Sequence, residues 1–264
     1  PADVPALERL NAVCPELPHD VAYLFSQIGG TQEIIGAGFQ LMSIANLFSF
    51  YDDTGDEISQ SLYGELLDPR VMLPLFWEGG GNYAGIFVGG PLRGRCFIHD
   101  HGEPLNLPVF QNLGRMILAF AKVHDLDDIY FDNLTGDYPS RDASQLLADD
   151  VELSKRFLKQ YFEEKPRDSY WALLGMQLSP ASDTGILLRM LDEDDVWIQA
   201  KACELIGFRR FVGGIDGMIK VALRGANNPT IATLVALRDW DDPKAVAGLK
   251  LLKESLPNGF SGHW

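Results

Sequence analysis

The chain has 264 residues, 46% hydrophobic and 22% charged, a balance that argues against disorder and allows one large domain or two. No apolar run reaches the ~18 residues needed to cross a bilayer, so no membrane helix is expected. The net charge is −15 and unevenly placed: residues 1–140 hold 19 acids and 6 bases, a net −13, while residues 141–264 hold 18 acids and 16 bases, a net −2. Such a field repels nucleic acid and anionic membrane and steers basic partners in.

Cys14, Cys96 and Cys203 are far apart and odd in number, giving neither a zinc spacing nor a disulfide framework. No basic stretch followed by an apolar core opens the sequence. The cysteine pattern fits a reducing cytoplasm.

In chain order, Leu7, Leu10 and Val13 share a face of a short helix over 4–13, with Asp3 placed to cap it and Pro5 in its first turn. A second helix carries Val21, Leu24, Phe25 and Ile28 on one side and stops at Gly29-Gly30. Phe39–Met42 reads as an edge strand, and Ser43 caps a helix running to Tyr51. The loop Asp52-Asp53-Thr54-Gly55-Asp56-Glu57 has Asp at its first, second and fifth positions, only a loose likeness to a calcium loop, and Tyr63 stands at the twelfth, where a carboxylate is required. It reads instead as an acidic loop, solvated or partner-facing.

The stretch 71–108 organises the first half. Apolar runs at Val71–Trp77, Tyr83–Val88 and Arg95–His99 are separated by Gly79-Gly80-Gly81-Asn82 and Gly89-Gly90-Pro91, the pattern of an antiparallel meander. Pro104–Val109 supplies a fourth strand. A helix over Gln111–Val123 follows, and Pro139 closes the first domain. A charged connector helix is expected over 143–164. From Asp168 onward no strand pattern remains, and six helices alternate with Asp, Asn, Pro and Gly breaks. Asp194-Asp195 can be laid on Asn227-Asn228 at an offset of 33, each pair preceding a helix with small or apolar residues inward. This second half resembles HEAT-type helical repeats. The expected fold class is α+β, with a domain over 1–140 followed by an all-α domain over 141–264.

Chemistry-bearing patterns are sparse. There is no Walker loop, nucleophile elbow or HExxH, and the glycine runs sit in hairpin turns, where they cradle phosphate poorly. His99 and His101 would share one face of a strand, but a structural zinc site needs four ligands and no others lie nearby in sequence. A hydrolase built on either histidine lacks a base–nucleophile–orienter set. Cys96 reads as a small buried apolar residue. No cofactor, no metal and no catalytic residue is expected.

Several features in fixed order carry a family resemblance. Leu17-Pro18 precedes a helix ending in Gly29-Gly30. Phe39-Gln40-Leu41 leads into a helix from Ser43. The Val71–Trp77 strand, the Gly/Asn turn and the Tyr83–Val88 strand form the centre, and a helix follows Phe110. Over residues 5–123 this resembles the SUKH superfamily, which includes the yeast Smi/Knr-type cell-wall regulator, the bacterial Syd protein and many immunity proteins of polymorphic toxin systems. One departure is that Asn82 and Tyr83 stand where the family commonly has an acidic residue.

The resemblance implies a binding module: a cytoplasmic bacterial immunity protein that neutralises a cognate toxin, contact-dependent or secreted, by covering its active site. The alternative is a scaffold or regulatory adaptor of the Smi/Knr type in cell-wall or secretion control. Charge fits the first, since a nucleic-acid-acting toxin carries basic surface that a domain of −13 would attract. The expected partner-binding residues are the aromatics Tyr51, Trp77 and Tyr83 with the acids Asp52, Asp53, Asp56, Glu57 and Glu78. Each aromatic competes with a core assignment, which is the stronger one for Trp77 at the end of an apolar strand.

Overall fold

In the computed structural model, described over residues 4–14, 17–28, 34–36, 38–47, 71–78, 80–100, 106–123, 134–257, 260 and 262, the glycine-punctuated stretch forms the middle of a six-stranded antiparallel sheet. The chain is a mixed helix-and-sheet protein that divides into two compact units, Pro1–Tyr138 and Pro139–Trp264.

In the first unit, helices α1 (Val4–Val13) and α2 (His19–Ile28) precede strands β1 (Ile34–Gly36) and β2 (Phe39–Leu41). A helical turn spans 44–47, with Ser43 Oγ accepting from the Asn46 N–H at 3.2 Å. Then come β3 (Met72–Trp77), β4 (Tyr83–Phe87), β5 (Cys96–His99), β6 (Pro108–Phe110) and α3 (Leu113–Val123). The strands lie in sequence order, so the sheet is a plain meander. β2 is not an edge strand, because β1 pairs outside it, Ile34 opposite Gln40. With only two β-branched residues before a glycine, β1 is too short to register as a strand in sequence.

The helices cover one sheet face. Leu10, Val21 and Phe25 from α1 and α2, and Leu113, Met116 and Phe120 from α3, pack with Phe39, Leu41, Leu73, Phe76, Ala84, Ile86, Cys96 and Phe110. The Phe120 ring stacks on Phe39 at 4.9 Å and meets Phe76 edge-on at 5.5 Å, geometry that aromatic quadrupoles favour. On the opposite face Phe87 and Phe97 lie 5.2 Å apart. Gly85 is required beneath them: an added Cβ would overlap the Leu73 carbonyl and come within 2.6 Å of Phe97 Cζ.

β3 does not alternate strictly. Pro74 pairs with Gly85 and Phe76 with Ala84, so one extra residue, Leu75, is accommodated as a β-bulge. Leu73, Leu75 and Phe76 all face the helix-covered core. The bulge therefore reverses the phase, and Trp77 emerges on the other face.

The second unit is all helix among the described residues: α4 (Asp150–Glu163), α5 (Ser169–Leu178), α6 (Thr184–Met190), α7 (Val196–Phe208), α8 (Ile215–Ala222), α9 (Asn227–Arg238) and α10 (Pro243–Ser255), with 3₁₀ turns at Ala143–Gln145 and Val212–Gly214. Three begin at an Asp whose carboxylate accepts from the first-turn N–H groups, Asp168 to Tyr170, Asp195 to Trp197 and Ile198, and Asp242 to Lys244 and Ala245. The expected connector over 143–164 is corrected: its second half, α4, is an integral helix that buries Phe157, Leu158 and Tyr161, with Ser154 Oγ donating to the Gly175 carbonyl at 2.6 Å.

Helices pair in succession as α4–α5, α6–α7 and α8–α9, and α7 packs against both α5 and α9. The burial register of α7 recurs in α9. Ile198, Gln199, Ala202, Cys203 and Ile206 correspond to Pro229, Thr230, Thr233, Leu234 and Leu237, from 198 to 229 an offset of 31. The offset of 33 read from sequence is corrected for a physical reason. Asp195 caps α7 from outside, whereas Ala226 holds that place before α9 and Asn227-Asn228 lie within its first turn.

Candidate partner-binding face

Cross-strand pairing assembles the candidate site. Gln40 lies opposite Trp77, Trp77 opposite Tyr83, and Tyr83 opposite His99. Directly paired residues point to the same side, so these four form one row across β2 to β5. The adjacent row, Leu41, Phe76, Ala84 and Ile98, packs into or against the core, so the Trp77 row faces away from it.

Trp77 is 42% exposed, whereas Tyr83 and His99 are half-buried. The Tyr83 and His99 rings lie 5.8 Å apart at 37°, and burial pushes the Tyr83 hydroxyl pKa up. His99 Nδ1 lies 2.9 Å from Asn106 Oδ1, a contact that fixes the ring with Nδ1–H as donor when that oxygen is the acceptor.

Beyond the row lies the rim of the sheet. The Glu78 N–H donates to the Asn82 carbonyl at 3.3 Å, and Asn82 Nδ2 donates back to Glu78 Oε1 at 2.8 Å. Asn82 is buried, so this reciprocal pair closes the β3–β4 turn. Gly80 belongs to the same arrangement, since a Cβ there would overlap Glu78 Oε1. Asp100, one residue past His99, is exposed at the same end of the sheet.

Of the residues expected from sequence, Trp77, Glu78 and Tyr83 come together here. Tyr51, Asp52, Asp53, Asp56 and Glu57 lie outside the described residues, as does His101. Core packing, the stronger sequence assignment for Trp77, is corrected by the bulge at Leu75. Sequence reasoning missed Gln40, Asp100 and Asn106 as neighbours and weighed His99 only as a ligand or base. Counting register outward from Gly89-Gly90 would have set Tyr83 opposite Cys96; the longer β4–β5 connection, centred on Pro91, moves the pairing to His99.

The row offers two aromatic planes, an imidazole and the Gln40 amide, and Glu78 and Asp100 stand one position further along their strands. The three thiols are buried, and burial raises the pKa of each, that of Cys203 to about 12. Among the described residues no three His, Cys, Asp or Glu side chains gather as a metal site, and no helix is long and apolar enough to cross a membrane. Compared with protein-family models, curated proteins and solved structures, the chain matches none.

Proposed function

We propose that this chain is a binding protein and not an enzyme: a cytoplasmic bacterial immunity protein, with a SUKH-like first unit and a HEAT-like second unit, that occludes the active site of a basic toxin. The observation that carries the proposal is Trp77, exposed and paired with Tyr83 on the sheet face turned from the core. This face belongs to the half of the chain whose net charge is −13. An exposed aromatic in an acidic half of the chain supplies two separate needs of an inhibitor. Long-range charge raises the association rate, and desolvated aromatic contacts hold the complex. The paired helices of the second unit, with their recurring burial register, support the repeat reading.

The test is capture from the native organism at low and high salt, followed by assay of what is retained. A single basic protein, lost at high salt and carrying a toxin domain, should lose its activity when one equivalent of this chain is added. Recovery of neutral regulatory proteins or an envelope complex, with no toxin to inhibit, would favour the adaptor instead.

A further inference from the structure

We infer that the row Trp77–Tyr83–His99 seats an arginine side chain of the basic partner, an assignment that rests on the binding reading above and names its chemistry. Adjacent strands lie ~4.8 Å apart, so the three side chains cover about 10 Å, the footprint of one planar group lying across two rings. Tryptophan and tyrosine faces attract cations, and guanidinium, planar and weakly hydrated, stacks on them better than ammonium. Glu78 and Asp100 directly follow Trp77 and His99, so they add two acids at the same end of the sheet, one of them accepting from Asn82 Nδ2.

The other users of an aromatic sheet face fit less well. Stacked nucleotides bring phosphates, which a net charge of −13 repels. A neutral sugar could use the rings and the amides of Gln40 and Asn106, but it would leave the acidic excess without a role. Charge complementarity therefore selects a cationic occupant, and the flat rings select arginine.

The experiment is a titration of the full-length protein followed by the tryptophan indole N–H resonances, of which there are five, with that of Trp77 identified by its absence in Trp77→Phe. The probes are acetyl-Gly-Arg-Gly-amide, acetyl-Gly-Lys-Gly-amide and cellotriose. The arginine peptide should shift the Trp77 resonance saturably, with an affinity at least about threefold above that of the lysine peptide. Glu78→Gln and Asp100→Asn should weaken it, and cellotriose should leave the resonance in place. Because Tyr83→Ala could unsettle β4, the exposed Trp77→Ala is the second variant, read on the backbone amides of the β3–β4 turn. Equal binding of the two peptides, or movement by cellotriose alone, would overturn the arginine seat. A captured toxin that Trp77→Ala binds as tightly as the parent would also overturn it while leaving the inhibitor reading intact. If no toxin is found but the arginine peptide still moves Trp77, the seat stands and the inhibitor reading falls.

Discussion

The Tyr161 hydroxyl donates to Glu193 Oε2 at 2.9 Å, and the same oxygen accepts from Arg167 Nη1 at 3.0 Å. Tyr161 belongs to α4, and Glu193 lies between α6 and α7, so the contact ties the first helix pair of the second unit to the next. Burial, then the hydrogen bond to Glu193 and its charge, push the Tyr161 pKa up to about 12, with Arg167 acting in the opposite direction. A group whose folded pKa exceeds its unfolded value stabilises fully below the unfolded pKa, ~10 for tyrosine, and loses that contribution as pH rises through the folded one. Melting curves from pH ~9 to ~12 should therefore show the parent protein losing stability faster than Tyr161→Phe. At neutral pH Tyr161→Phe should cost about 1 kcal/mol, the net worth of one such hydrogen bond. Parallel pH profiles for the two proteins would remove Tyr161 as the titrating group.

Arg210 sits just past α7 with φ 54°, a left-handed backbone. Its N–H donates to the Gly207 carbonyl at 3.1 Å and that of Phe211 to the Ile206 carbonyl at 3.0 Å, a helix-ending pattern in which glycine is the favoured residue. A side chain in this conformation costs ~1–2 kcal/mol. The Arg210 guanidinium lies 5.6 Å from the Trp240 ring, which returns only ~0.5–1 kcal/mol at an exposed site. Arg210→Gly should thus be neutral to stabilising, and Arg210→Ala, which keeps the strained Cβ and loses the ring contact, should be the less stable of the two by about 1 kcal/mol. Chemical denaturation of both variants, followed by fluorescence, checks the order.

α7 and α9 pack tightly at Gly207, where an added Cβ would overlap the Ala236 Cβ. Neither atom is the end of a flexible side chain, so relief requires the helices to part. Gly207→Ala gains ~1 kcal/mol of helix propensity but should still destabilise the second unit by about 1–3 kcal/mol through overpacking. Amide exchange in α7 and α9 should quicken while the strands of the first unit keep their protection. A slower exchange in both helices would mean that the gap closes without strain.

Which parts of this fold were legible follows from how local their causes are. Asp194-Asp195 announces α7 because a cap, here Asp195, acts on N–H groups two or three residues away. Glycine runs announce the meander for the same reason. The orientation of Trp77 was not legible, because it depends on one unpaired residue, Leu75, that shifts the phase of β3 against β4. Nor was the neighbourhood of His99: its partner Asn106 lies beyond the end of β5, and the pairing with Tyr83 depends on a β4–β5 connection longer than the Gly89-Gly90 pair suggests. The repeat offset slipped from 31 to 33 because polar pairs were matched to each other although one lies outside its helix and the other inside.

The acidic loop from Asp52 to Glu57 enters the binding hypothesis through charge alone. Reversing Asp52, Asp53, Asp56 and Glu57 to lysine would take residues 1–140 from −13 to −5, each reversal adding two charges. Electrostatic steering acts on encounter and is screened over ~8–10 Å at physiological salt, so the loss should appear in the association rate rather than in dissociation. Stopped-flow mixing with the captured partner should show association slowed at least about tenfold at low salt, and a flatter dependence of that rate on salt. Trp77→Ala should do the reverse, leaving association nearly unchanged and speeding dissociation, because a short-range contact forms only after encounter. An association rate unaffected by the four reversals would exclude the loop from the encounter surface and leave Glu78 and Asp100 as the acids that matter at the Trp77 face.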